Sequence, residues 1–203
     1  MTTETEPEPE PGYAKGRARR REIIEQAMAV FGELGYRATS LRDVAARCGI
    51  SHPGLMHHFP TKESLLQAVL QQRDHNDAAW LGDGGAKGVD GLRRLAGLVA
   101  LNATRRGIVE SFTVLAAEAS SAEHPAHDYF VARYRNSVAS TTATYTQAAA
   151  AGALRHDIRP DSAGRQLVAL MDGLQLQWLL DAGATDMAAV VRAHIQSQLV
   201  VEL

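Results

Sequence analysis

Apolar residues recur at helical spacing through most of the chain. Near the N-terminus, Ile23, Ala27 and Phe31 fall at positions that share one face of an α-helix. This pattern predicts a first helix over about residues 15–34. Gly35 follows directly, and glycine commonly ends a helix because it adopts a positive φ at low cost.

Capping residues precede three further helices. Ser40 opens a Ser-x-x-Asp pattern that predicts the start of a second helix, and Gly49 ends it. Ser51 caps a short third helix, which ends before Pro60. Thr61 caps the fourth. The tight connection between the second and third helices is typical of a helix-turn-helix.

The rest of the chain also has helical periodicity, and no segment shows the sustained period-2 alternation of a strand. A glycine-rich break at Gly82–Gly85 separates the fourth helix from five more. The predicted ranges of those five are about 89–105, 108–121, 125–151, 161–181 and 186–200. The expected fold is therefore all-α, with about nine helices.

Length and composition limit the class of protein. The chain has 203 residues and a single cysteine, Cys48, so an intrachain disulfide framework is excluded. No run of about 18 apolar residues exists, so no membrane span is expected. Residues 1–12 alternate Glu and Pro, which predicts a disordered acidic tail and is unlike a secretory signal. A cytoplasmic protein is expected.

Charge divides the chain into three parts. Residues 13–62 contain nine Lys/Arg against four Asp/Glu, a net charge of +5 between an acidic tail and a mildly acidic remainder. Such segregation favours a polyanionic partner for this segment, although a solvated basic helix face is the alternative. The expected organisation is a tail over 1–12, a basic module over 13–62 with a helix-turn-helix at 40–59, and a helical body over 63–203.

The third helix carries the chemistry expected of a DNA-reading element. Its N-terminal residues can meet base edges in the major groove, and its glycine allows close approach of the backbone. The predicted contacts on this helix are His52, Pro53, Gly54, Met56, His57 and His58.

Residues around this helix complete the predicted DNA-binding surface. Arg42 lies on the polar face of the second helix, from which it can reach a guanine edge or a phosphate. Lys62 is predicted to bind a phosphate. A basic arm at the start of the first helix can follow the DNA backbone or enter the minor groove. The remaining predicted contacts are Arg17 and Arg20 in that arm, and Thr39 and Ser40 before the second helix.

Four consecutive motifs occur in this region: Ala-x-x-x-Phe-x-x-x-Gly-Tyr, Thr-Ser-Leu-Arg-Asp-Val-Ala, Cys-Gly-Ile-Ser and His-His-Phe-x-x-Lys-Glu-x-Leu. With them, residues 19–70 resemble the DNA-binding domain of the TetR family of transcriptional regulators. The resemblance implies an all-helical homodimer that binds a palindromic operator and is released by a small-molecule effector. It makes residues 13–62 the DNA-binding domain and residues 63–203 a helical ligand-binding and dimerisation domain. It also implies that Arg42 contacts a base and that His58 and Lys62 contact phosphates.

Two positions depart from the family pattern. Met56 stands where members usually have a tyrosine that donates a hydrogen bond to phosphate, and Gly54 replaces a common threonine. These departures leave open a second hypothesis, in which the chain is a helical ligand-binding or enzymatic protein whose helix-turn-helix no longer reads DNA.

The last two helices carry wide apolar stripes. The family resemblance implies that they form a dimer interface, and the alternative is that they pack only on their own domain. The predicted interface residues are Leu167, Leu170, Leu174, Trp178, Val191 and Ile195.

An effector pocket is expected between the helices at 108–121, 125–151 and 161–181. Ordinary core packing is the alternative for each residue that could line it. If Glu118 points inward, it favours a cationic or hydrogen-bond-donating ligand. The predicted lining residues are Phe112, Leu115, Glu118, Phe130, Tyr134, Met171, Gln175 and Trp178.

Other motifs carry little chemistry. His124 and His127 lack a third ligand at fixed spacing, so no metal site is expected. Cys48 lies on an apolar stripe, which favours a packed thiol over a redox sensor. No nucleophile–base pair is evident, and no cofactor or enzymatic activity is expected.

Overall fold

A computed structural model describes residues 11–81 and 87–203, with side chains described from residue 15. These residues form nine helices and no β-strand, as the periodicity predicts. The helices are α1 Pro11–Ala38, α2 Leu41–Arg47, α3 His52–His58, α4 Lys62–Leu81, α5 Val89–Ala103, α6 Arg106–Glu118, α7 His127–Ala150, α8 Pro160–Leu180 and α9 Met187–Gln198. The predicted break at Gly82–Gly85 and most of the predicted acidic tail lie outside the described residues.

The first helix begins earlier than predicted, at Pro11, and its regular part ends at Gly35 as predicted. Gly35 has φ +78° and ψ 163°, which lie outside helical geometry. A short second helical stretch follows this kink and ends at Ala38. The positive φ is the conformation that favours glycine at the end of a helix.

The first four helices share one apolar core. Ile23 and Phe31 of α1 meet Leu55 of α3 and Leu65 of α4, and all four side chains are fully buried. The same cluster continues into α6 through Leu115. The N-terminal helices are therefore packed directly on the rest of the chain, since their core has no boundary at α4.

A second apolar core joins α5, α7, α8 and α9. Tyr145 lies at its centre, fully buried, and its hydroxyl donates a hydrogen bond of 2.5 Å to Oε1 of Gln198. Helices α7 and α8 approach closely at Gly164, where an added Cβ would lie 2.3 Å from Oγ1 of Thr142. Only glycine fits at this contact, because any side chain would overlap the neighbouring helix.

The predicted dimer-interface stripe lies inside this second core. The structure thus contradicts the prediction that these side chains face a partner chain, and supports their packing on their own domain. Leu167, Val191 and Ile195 have no exposed surface, Leu174 is 5% exposed, and Trp178 is 6% exposed. Leu170 is partly buried against the same cluster. The periodicity identified the apolar stripe correctly, but it could not distinguish the core from an interface.

In the described part of the chain, no helix is long and apolar enough to cross a bilayer.

Candidate nucleic-acid interface

The connection between α2 and α3 is fixed by caps at both helix starts. The Ser40 side chain accepts a hydrogen bond from the Asp43 N–H, and the Asp43 carboxylate accepts one of 2.8 Å from the Ser40 N–H. Ser51 Oγ accepts a hydrogen bond of 3.2 Å from the Gly54 N–H at the start of α3. Gly49 has φ +63°, which allows the chain to turn sharply between the two helices.

One side of helix α3 is buried in the core and the opposite side is exposed to solvent. Leu55 is fully buried and Phe59 is 2% exposed, so these two side chains attach the helix to the core. Met56 is 42% exposed on the opposite side, and Pro53 and His57 are exposed beside it. The side of α3 that carries Pro53, Met56 and His57 therefore faces solvent, as is required of a helix that enters a groove.

The other predicted contacts near this helix vary in exposure. Arg42 and Ser40 are exposed. His52, Gly54 and His58 are partly buried, and the rings of His57 and His58 lie 5.6 Å apart in an edge-on arrangement. Arg42 is thus available to a ligand, while Ser40 is also committed to its capping box.

Lys62 does not present a free ammonium. Its Nζ donates hydrogen bonds of 2.7 Å to the Tyr36 carbonyl and 2.5 Å to the Thr39 carbonyl. The same group lies 4.3 Å from the centroid of the Tyr36 ring. The structure therefore gives Lys62 a capping role at the end of α1, which differs from the predicted role of a phosphate-binding cation.

Thr39 also departs from its predicted role. It is only 2% exposed, and its hydroxyl donates a hydrogen bond of 2.7 Å to the Gly35 carbonyl. The prediction that its side chain contacts DNA is wrong, because that side chain fills the bend after the kinked helix.

The basic arm lies along the first turns of α1. Arg17 and Arg20 are exposed, and the guanidinium of Arg20 lies 4.7 Å from the centroid of the Phe59 ring. Arg19 pairs with Glu22 at 2.5 Å and also donates to the Cys48 carbonyl. The arm is therefore held by Arg20 against Phe59 at the end of α3 and by Arg19 against the end of α2.

A cavity of about 340 Å³ lies in the body between α4, α5, α6, α7 and α8. Four of the predicted ligand contacts line it: Phe112, Tyr134, Met171 and Gln175.

The other four predicted ligand contacts lie elsewhere. Leu115 and Phe130 are buried in the N-terminal core, and Trp178 is buried in the second core. Glu118 lies at the end of α6, where its carboxylate accepts a hydrogen bond of 2.7 Å from the Tyr36 N–H. The expectation that Glu118 selects the ligand is therefore wrong, because its oxygens bind the backbone of α1.

The cavity also has a charged wall whose residues were not among the predicted ligand contacts. Arg73 and Asp77 of α4 face Arg133 of α7, and Asp172 of α8 lies across the cavity. Arg73 and Asp77 are four residues apart, a spacing that places them on one helix face and could have indicated an internal ion pair. Burial raises the pKa of the Asp172 carboxyl, and the hydrogen bond from the Tyr134 hydroxyl opposes this effect together with the charges of Arg73 and Arg133.

The described residues contain no group of three or more His, Cys, Asp or Glu side chains arranged to hold a metal ion.

Comparison with known proteins agrees with this geometry. Residues 23–69 match the family of bacterial regulatory proteins called tetR, and residues 92–200 match the C-terminal region of BetI-type transcriptional repressors. The second match spans more than half of the chain. The chain belongs to the TetR family of transcriptional regulators.

Its relatives within this family include transcriptional repressors. The chain is 31% identical over 127 residues to the HTH-type transcriptional repressor KstR2 of Rhodococcus jostii, covering 63% of this chain and 55% of the relative. It is 44% identical over 54 residues to KstR2 of Mycobacterium tuberculosis, covering 27% of each. The chain thus matches between about a quarter and about half of the length of these TetR-family relatives.

Solved structures share the TetR fold. A transcriptional regulator from Saccharomonospora viridis, solved in complex with choline, has a TM-score of 0.70 and 23% identity, and the match covers 92% of this chain and all of that one. The agreement extends through the helical body, so the whole architecture is that of the family.

Proposed function

We propose that this protein is a sequence-specific DNA-binding repressor that leaves a palindromic operator when its body binds a small-molecule effector. The observation that carries the proposal is the capped α2–α3 pair, in which α3 is anchored by Leu55 and exposes its opposite face. Residues 13–62 then form the DNA-binding unit and residues 63–203 the effector-binding and dimerisation unit. Family membership and the repressor relatives support the same function.

The proposed base contact is Arg42. It is exposed on α2 beside the recognition helix, and an arginine can bind both acceptors of a guanine edge. Met56 contributes an apolar surface without a hydrogen-bond donor, so Arg42, His57 and the basic arm supply the polar contacts.

The proposed assembly is a homodimer formed by the outward faces of α8 and α9. Leu176 is 50% exposed, Leu180 is 78% exposed, and Val190 is 41% exposed. An added Cβ at Gly173 would meet nothing within 4 Å in this chain, so a second chain has room to approach there. A two-fold dimer places two α3 helices about 34 Å apart, or a multiple of that distance, for successive major grooves.

The proposed effector site is the cavity between α4 and α8. It is bounded by α4, which begins next to α3, so a ligand that fits only one position of α4 would alter the spacing of the two recognition helices. The choline complex of the S. viridis regulator supports the use of such a body to hold a small organic molecule.

Selection of bound fragments from genomic DNA tests the proposal. The full chain should recover fragments that share one palindrome, and a variant with Arg42→Ala should recover them poorly. If the native chain enriches no sequence, the alternative of a helical ligand-binding protein that no longer reads DNA is favoured.

A further inference from the structure

Arg73 is the most deeply buried cation lining the cavity. The residue is 5% exposed, although it carries a full positive charge on a five-donor guanidinium. Its plane lies 3.5 Å from the centroid of the Phe112 ring, which covers one face of the group. A buried charge of this kind is stable only when partners compensate for the water that it has lost.

In the described part of the chain, the Arg73 guanidinium has too few hydrogen-bond acceptors to compensate for its burial. Its one hydrogen bond there runs from Nε to Oδ2 of Asp77 at 3.4 Å, near the limit for such a bond. The same oxygen also accepts a shorter bond of 3.1 Å from Arg133. Nη1 of Arg73 is buried and has no hydrogen-bond partner. Burial lowers the pKa of the Arg73 guanidinium to about 10.

A second carboxylate near this pair, that of Asp74, binds Arg133 and Tyr129 instead of Arg73. Asp74 binds Nη1 of Arg133, and it also accepts a hydrogen bond of 2.9 Å from the Tyr129 hydroxyl. Its side chain is 41% exposed, so solvent weakens its effect on the buried end of the cavity. Among the described residues, Arg133 therefore has both Asp74 and Asp77 as acceptors, whereas Arg73 has only the long bond to Asp77.

The rest of the cavity wall is suited to the apolar part of a ligand. Leu81, Leu95, Leu98 and Met171 also line it. Asp172 lies where the cavity meets an outer groove between α7 and α8, and it is the group that a cationic ligand would use. Arg73 and Arg133 act on the Asp172 carboxyl and lower its pKa against the effect of burial, and Nη1 of Arg73 is left as a buried donor of this wall without an acceptor among the residues that the structure describes.

We propose that the effector is an apolar organic acid whose carboxylate binds the Arg73 guanidinium at the inner end of the cavity, while its tail lies along the leucines. This inference rests on the proposed function of the cavity as the effector site. A carboxylate accepts two parallel bonds from a guanidinium, so it would supply the acceptor that Nη1 of Arg73 lacks in the described part of the chain.

Calorimetry with three matched probes tests the charge preference of the cavity. Sodium octanoate, octanamide and octyltrimethylammonium share one tail and carry a negative, a neutral and a positive head. At pH 7.5 the native full chain should bind octanoate at least about tenfold more tightly than either of the other two, since charge-assisted hydrogen bonds are about twice as strong as neutral ones.

Two variants assign this preference to Arg73. Arg73→Met should lower octanoate affinity at least about tenfold and remove the preference for the acid. Arg135→Met is the matched control, because Arg135 is exposed on the same helix as Arg133 and lies outside the cavity lining. If Arg73→Met fails to fold, Arg73→Lys keeps the charge without the paired donors and should bind octanoate more weakly than the native chain.

Three results would overturn the inference: tighter binding of the ammonium probe, equal loss of octanoate binding in the Arg135 control, or no binding of any probe. Operator binding is measured on the same samples with DNA from the genomic selection. If the chain prefers the ammonium probe but still binds operator DNA, only the proposal that the effector is an organic acid is contradicted. If octanoate binds but operator DNA does not, the repressor function is contradicted and the proposed organic-acid site is not.

Discussion

The carboxylate of Glu118 accepts a hydrogen bond of 2.7 Å from the backbone N–H of Tyr36, and this contact ties the end of α6 to the end of α1. A second bond of 3.3 Å comes from the Arg37 N–H. Gly35 makes the contact possible, because a Cβ there would lie 2.7 Å from Oε1 of Glu118. Helix α6 also carries Phe112 of the cavity wall, so the cavity and the DNA-binding segment are joined by one rigid element.

Removal of this contact should destabilise the protein. Glu118→Ala leaves the Tyr36 and Arg37 N–H groups without their acceptor, and the expected loss is about 1–3 kcal/mol in the free energy of unfolding. Glu118→Gln keeps one acceptor oxygen and should lose less. Chemical denaturation measures the effect, with Glu110→Ala on the same helix as the control. Equal stability of Glu118→Ala and the control would show that the contact contributes nothing.

Arg42 and Lys62 should affect DNA binding in different ways. Arg42→Ala should reduce discrimination between operator and random DNA by about 1–3 kcal/mol, because a base-reading arginine is lost. Lys62→Met removes the donor to the Tyr36 and Thr39 carbonyls, so its main effect should be a lower melting temperature.

Competition binding with operator and random duplexes, together with thermal melting, separates these two effects. An Arg42→Ala variant that loses operator and random-site binding equally would contradict its assignment as a base contact.

The sequence predicts the elements of this fold better than it predicts their partners. Caps at Ser40 and Ser51 are local, so the start of α2 and α3 could be read from neighbouring residues. The hydrogen bonds of Lys62 and Glu118 join distant segments, and no local pattern indicates them. Lys62 was predicted to bind phosphate and Glu118 to line the effector pocket. Tertiary contacts instead bind both side chains to the backbone of Tyr36 at the end of α1.

The apolar stripe on α8 and α9 shows the same limit. Helical periodicity identifies which residues share a face, but the face of Leu174 meets its own core while Leu180 faces outward. The cavity was partly predictable, since Phe112 and Tyr134 were identified from their aromatic side chains. Its charged wall was not predicted, because Asp77 and Arg133 meet only when α4 packs against α7.

A change on the outward face of α8 should dissociate the proposed dimer. Leu180→Asp places a charge on a side chain that is 78% exposed in this chain, so the fold should survive while an apolar contact between two chains would not. Sedimentation at micromolar concentration should show a folded monomer with weakened operator binding.

Val131→Asp, at an exposed position on α7, is the control and should remain dimeric. Leu174→Asp should instead unfold the chain, because its side chain is in the core. A folded dimer of Leu180→Asp would place the interface on another surface.

Stability should fall in mildly acidic solution through His124. This residue is 3% exposed, its Nδ1 accepts a hydrogen bond from the Ala126 N–H, and burial lowers the pKa of its imidazole. The unfolded chain therefore binds the proton more readily than the folded chain. The contribution is complete above about pH 6.5 and is lost as the pH falls from there towards the lower pKa of the folded state.

His124→Asn tests this expectation, because an asparagine oxygen can accept the same Ala126 N–H bond without titrating. The melting temperature of the native chain should fall more between pH 7 and pH 5.5 than that of the variant. His194, whose pKa is also lowered by burial, remains in both proteins and does not affect the comparison. Identical pH profiles would show that His124 is not responsible.

Titration of DNA with the full chain tests the repressor proposal most directly. Labelled duplexes that contain the selected palindrome, or the same bases in scrambled order, are compared at 50 and 200 mM salt. The expected result is binding to the palindrome at least about a thousandfold tighter than to the scrambled duplex, with both affinities falling as salt rises. Equal affinity for the two duplexes, or no binding at either salt concentration, would contradict the proposal.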